Sequence, residues 1–119
     1  MRYLMLIKHT EAHRALTPPA ELYDAMGKFV TAQMASGAVT DTAGLKPTSD
    51  AWSVEMSGGK LAVVDGPFAE SKECVGGYAI VDVTTREEAS ALAHEFMDIH
   101  RVHWPEFEGK CEVRPLENM

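Results

Sequence analysis

The sequence predicts an α+β fold, an antiparallel sheet with two helices laid across one face. Three observations predict it. Apolar residues recur at steps of three and four in two places, through Leu22, Met26 and Phe29 and through Ala89, Leu92, Phe96 and Ile99, which is the spacing of a helix with one buried face. Residues 51–56 instead alternate, with Trp52, Val54 and Met56 set against Ser53 and Glu55, the period-two pattern of a strand. Glycine pairs separate the short apolar runs, as hairpins require.

In chain order, residues 3–8 read as a strand apolar on both faces, because Tyr3, Met5 and Ile7 alternate with Leu4 and Leu6. Such a strand belongs in the middle of a covered sheet. Residues 9–17 are polar and read as a loop. A helix follows, with Thr17 as N-cap, Pro18 at its first position and Gly37 as its C-terminal stop. Gln33, Ala25 and Val30 extend its stripe, and Gly27 interrupts it, as a weak helix former that marks close packing. Residues 39–45 read as an edge strand. Ser57-Gly58-Gly59-Lys60 is a hairpin turn, and residues 61–64 return from it to end at Asp65. Residues 78–83 form the next strand. Thr84 with Glu87 and Thr85 with Glu88 offer overlapping capping boxes for a second helix from about Arg86 to His100 or slightly beyond, closed off by Pro105. Residues 111–114 make the last strand.

That order is the ferredoxin-like split β-α-β unit with its antiparallel sheet. Both helices then lie on one face, while the other face, including Trp52, Val54 and Met56, remains apolar. A second copy packed sheet to sheet covers it, so a homodimer is expected. The 119 residues are expected to form one domain spanning 1–119. The formal charge of −7 repels phosphate backbones and acidic membranes, so neither nucleic acid nor membrane is an expected partner. Cys74 and Cys111 fit no disulfide framework or Cys-x-x-Cys zinc site, and the apolar run of residues 3–7 is too short for a signal peptide core. A cytoplasmic location is expected.

The stretch Asp65-Gly66-Pro67-Phe68-Ala69-Glu70-Ser71-Lys72-Glu73, followed by Gly76-Gly77-Tyr78, resembles the DGPF signature of the YCII-related family. Arg2-Tyr3-Leu4-Met5-Leu6-Ile7, Gly44-Leu45-Lys46-Pro47 and Glu112-Val113-Arg114-Pro115 are similar to other segments of that family, in the same order along the chain. The resemblance implies a dimeric α/β barrel, a cytoplasmic bacterial protein and a cleft in which an Asp and a His are suspected catalytic groups. Some members are encoded beside sigma factors. His100-Arg101-Val102-His103-Trp104-Pro105 lies outside the general signature and implies a ligand particular to a subfamily.

Several residues are candidates for chemistry. Asp65 closes a strand before Gly-Pro, which suits either an Asx-type turn or a general base held at a cleft edge. His100 and His103 fall four and seven residues beyond Phe96, on the stripe facing the sheet, whereas His94 faces away. They can do acid–base work, bind a metal together across their three-residue step, cap the helix carbonyls or pack in polar niches. No third ligand stands at metal-site spacing, so no metal and no cofactor is expected. Trp104, Tyr78, Phe68 and Lys72 are the substrate-binding candidates. Trp104 serves equally as a core plug or dimer anchor, Tyr78 as a cross-strand partner and Lys72 as a solvated loop charge. Cys74 lacks an assured cationic neighbour, which leaves it as packing.

The expected function is therefore small-molecule binding, with cofactor-free proton transfer by Asp65 and His103 or His100 on a small anionic or aromatic substrate. The alternative is a non-catalytic ligand- or partner-binding module linked to transcription.

Overall fold

The computed structural model describes residues 1–10, 16–68 and 73–117. Strand β1 (Arg2–His9) is followed by helix α1 (Ala20–Ala35) and strand β2 (Val39–Gly44). A single 3-10 turn (Thr48–Asp50) leads into the hairpin β3 (Trp52–Ser57) and β4 (Lys60–Asp65). Then come β5 (Cys74–Asp82), α2 (Arg86–His103) and β6 (Gly109–Pro115). The main sheet has the order β2-β5-β1-β6, antiparallel throughout. This is the ferredoxin-like arrangement, built from β1-α1-β2 and β5-α2-β6.

β1 is central, as its two apolar faces require. Tyr3 and Met5 lie opposite Val81 and Ala79 and pack in the core with Val39, Ala89 and Ala93. Leu4 and Leu6 point to the other face, where Leu4 meets Ile80 of β5. The molecule measures 45 × 38 × 19 Å, and its thin dimension holds one sheet and one helix layer. Among the described residues, nothing covers the face of the sheet carrying Leu4, Leu6 and Ile80.

The helix boundaries differ from expectation for stated reasons. Pro19, not Thr17, is the N-cap of α1, with φ −65° and ψ 151°. A residue before proline is pushed away from helical backbone, so Pro18 cannot begin a helix that runs into Pro19. At the other end Gly37 takes φ +83° and its N–H donates to the Met34 carbonyl, as a helix stop should. Leu22 of α1 is 1% exposed, and Ala25, Met26, Phe29, Val30 and Gln33 are half-buried along the expected stripe. The Thr85 hydroxyl accepts from the Glu88 N–H, and the Glu88 carboxylate accepts from the Thr84 N–H. One capping box is thus used, and it reaches back one residue further than the usual form.

Gly27 is not a close-packing site, since a Cβ there would meet nothing within 4 Å. Gly27→Ala is therefore expected to stabilise the protein by about 0.5–1 kcal/mol through helix propensity alone. Thermal denaturation checks this, and a lowered melting temperature would contradict it.

The strands also run longer than their sequence patterns. β5 includes Gly76 and Gly77 rather than starting after them, and His9 belongs to β1 rather than to a loop. The hairpin turns through Gly58 and Gly59 at φ +58° and +77°, the positive values of a two-residue hairpin. It does not join the main sheet but forms its own two-stranded sheet. The radius of gyration of 15.9 Å exceeds the roughly 13.5 Å of a compact chain this long, because the hairpin projects.

Candidate functional site

The helices stand off the sheet around a cavity of about 820 Å³, a volume that suits a small-molecule ligand. Its floor is the helix-facing side of the sheet, with Met5, Ile7 and His9 of β1, Gly77, Ala79 and Val81 of β5, and Cys111 of β6. Its roof is α1 and α2. The exposed side chains of Leu16, Tyr23 and Leu45 stand at its rim. Among the described lining residues there is no Lys, Arg, Asp or Glu.

His100 is the polar group set deepest in this wall. It sits on the last turns of α2, 5% exposed, because it follows Phe96 by four residues on the inward stripe. The Phe96 and Phe107 rings flank it, with centroids 4.8 and 4.7 Å away. Its Nδ1 lies 3.0 Å from the Phe96 carbonyl oxygen. A carbonyl only accepts, so Nδ1 carries the hydrogen and Nε2 holds the lone pair. Among the described residues Nε2 has no hydrogen-bond partner. Burial pushes the pKa below the usual 6.5, against a smaller opposing effect from the Phe96 hydrogen bond, so the ring is neutral at pH 7.

Trp104 is 8% exposed and packs on Phe107 at 5.5 Å between ring centroids, and both line the cavity. Its backbone N–H closes α2 on the His100 carbonyl at 2.7 Å. Aromatic side chains thus surround the imidazole.

The other sequence candidates lie elsewhere. His103 is half-buried at the end of α2 and does not line the cavity. Asp65 is exposed at the end of β4, opposite Trp52. Phe68 is half-buried and also outside the lining. His94 is exposed, as its position on the helix predicts. Lys72 lies outside the described residues. Tyr78 borders the cavity through its strand, but its hydroxyl donates to Asp41 at 2.9 Å. Tyr78 shares strand parity with Ile80 and lies opposite Leu6, so its ring belongs to the uncovered sheet face. The hydrogen bond to Asp41 holds its phenol above the usual 10.0.

Two groups escaped the sequence reading. His9 is 8% exposed and lines the cavity, with Nδ1 2.9 Å from the Thr10 carbonyl oxygen and 3.3 Å from Cys74 Sγ. Continuing the alternation Tyr3, Met5, Ile7 by one more step would have found it. Phe107 carried no signal, since it falls in the short link between Pro105 and the last strand.

Burial pushes the Cys111 thiol up to about 11. Alkylation of Cys111 in the native protein at pH 8 is expected to run on the order of 100-fold slower than for a free thiol, since the thiolate is what reacts. Peptide mapping after timed iodoacetamide treatment measures this. Equal rates in native and unfolded protein would show that the thiol is not buried as described. Among the described residues, no three His, Cys, Asp or Glu side chains are placed to hold a metal ion, and no helix is long and apolar enough to cross a membrane.

Residues 1–97 match the family model described as the YCII-related domain. An uncharacterized protein of Rhizobium meliloti (strain 1021) is 35% identical over 81 residues, which cover 68% of this chain and 61% of that protein. The chain therefore spans less than two thirds of the relative's length. His100, Trp104 and Phe107 fall beyond the segment that matches the family model.

Proposed function

The chain belongs to the YCII-related domain family, and from that premise we propose that it binds a small, mainly apolar molecule between its helices and its sheet. The observation that carries this is the cavity itself, about 820 Å³ and walled by apolar and aromatic side chains around a buried imidazole. A folded core of this size ordinarily fills such space with side chains, so the space fits a ligand. Ligand-observed NMR over a panel of small aromatic molecules tests it. Saturable binding at one site per chain is expected, and Val30→Trp, which places an indole in the cavity, should abolish it. Binding undiminished in that variant would move the site elsewhere, and no binding at all would end the proposal.

Catalysis by proton transfer is the second reading, favoured by the unshared lone pair of His100 Nε2. In it, His100 is the cavity's acid–base group, and Asp65 and His103 contribute from outside the walls described above. A bound molecule recovered chemically altered would support this reading, and one recovered unchanged would leave binding alone. The exposed apolar hairpin and the uncovered sheet face support a homodimer, and the reduced thiols of Cys74 and Cys111 support a reducing cytoplasm.

A further inference from the structure

We infer that the ligand of this cavity is an uncharged aromatic molecule bearing a hydroxyl group, a phenol in chemical class, whose O–H donates to His100 Nε2. The inference rests on the ligand-binding proposal and narrows it.

The described lining bears on charge first. An anion buried among these side chains would need a cation or several donors, or else lose its hydration uncompensated. The described lining supplies no Lys or Arg. Among its other polar side chains, Thr42 Oγ1 donates to the Tyr78 carbonyl at 2.8 Å, and His9 Nδ1 is 2.9 Å from the Thr10 carbonyl oxygen. The described lining likewise holds no Asp or Glu to pair with a cation.

Hydrogen-bond polarity is decided by His100. Its Nδ1–H is committed to the Phe96 carbonyl, so the nitrogen left over can only accept. A ligand group meeting it must therefore donate. Leaving a buried acceptor without a donor costs about 1–3 kcal/mol, and a ligand hydroxyl removes that cost. Shape follows from the surroundings. Phe96 and Phe107 flank the imidazole, and Trp104 and Phe29 add further ring faces to the lining, which suits a flat aromatic body. The lowered basicity of His100 keeps it an acceptor rather than an imidazolium that would favour an anion.

Three probes sharing one ring system test this on the full chain by isothermal titration calorimetry: 2-naphthol, 2-methoxynaphthalene and 2-naphthoate. 2-Naphthol is expected to bind about 10-fold more tightly than either of the others, the worth of one good hydrogen bond. His100→Phe should bring 2-naphthol and 2-methoxynaphthalene level, while His100→Gln, which keeps an acceptor, should retain part of the preference. If His100→Phe does not fold, the order of the three probes on the unaltered protein and on His100→Gln decides the matter. Tighter binding of 2-naphthoate, or equal binding of the methyl ether, would overturn the phenol inference and leave ligand binding intact. Failure of all three to bind would remove both.

Discussion

Val54→Lys combined with Val63→Lys is expected to turn the proposed dimer into separate chains, raising the dissociation constant by at least about 100-fold. The two residues are cross-strand partners in the projecting hairpin. They share its apolar face with Trp52, Met56 and Leu61, and all five are between 64% and 74% exposed. A continuous apolar surface of that kind is rare on a lone soluble protein. The uncovered sheet face behind Leu4, Leu6 and Ile80 is the other apolar surface without a described cover. Two lysines at the centre of the hairpin would be buried without partners in any self-association through it, which costs far more than the lost methyl groups. Sedimentation velocity decides the outcome. Ala62→Lys lies opposite Glu55, on the reverse face of the hairpin, and should leave the mass unchanged. If the unaltered protein sediments as a single folded chain, or the double variant still pairs, the hairpin does not hold two copies together.

Local signals made most of the fold legible. Gly58-Gly59 names its turn because only positive φ closes a two-residue hairpin with this twist. Thr85 and Glu88 mark the start of α2 through bonds that need only neighbouring residues. The two faces of β1 put it in the centre of the sheet, and it lies there between β5 and β6. The hairpin's detachment from the sheet was not legible, because alternation shows that a strand has two faces and not which sheet it joins. The site was half legible. His100 followed from its spacing after Phe96, and Trp104 from its place beside it. The cavity was invisible, since side chains that line a hollow and side chains that fill a core have the same periodicity. Asp65 drew attention through the signature around it, yet its carboxylate lies on the hairpin and outside the cavity wall. The residue beside it has a clear structural reason to be what it is.

Gly66→Ala is expected to cost about 3 kcal/mol, the upper end for overpacking, because the atom it would strike is backbone. A Cβ at Gly66 would overlap the Thr48 carbonyl group and crowd the Ala51 carbonyl oxygen at 3.1 Å. Neither can swing aside as a flexible side chain would. The Thr48 carbonyl already accepts the Ala51 N–H at 3.0 Å, closing the 3-10 turn, and the Gly66 N–H donates to the Ala51 carbonyl at 2.8 Å. The turn entering the hairpin and the chain leaving it are thus locked backbone to backbone, and only a residue without a side chain permits so close an approach. For a protein of this size the loss corresponds to a fall of about 10 °C in melting temperature. Gly44→Ala is the control, since a Cβ there meets nothing within 4 Å and its φ is not positive; it should shift stability by no more than about 0.5 kcal/mol. Because the lock sits at the hairpin's base, Gly66→Ala should also weaken any self-association through the hairpin, as Gly44→Ala should not. A Gly66→Ala protein that melts with the unaltered one would mean that the turn at Thr48–Asp50 yields freely, and that the glycine of the signature serves something other than this backbone contact.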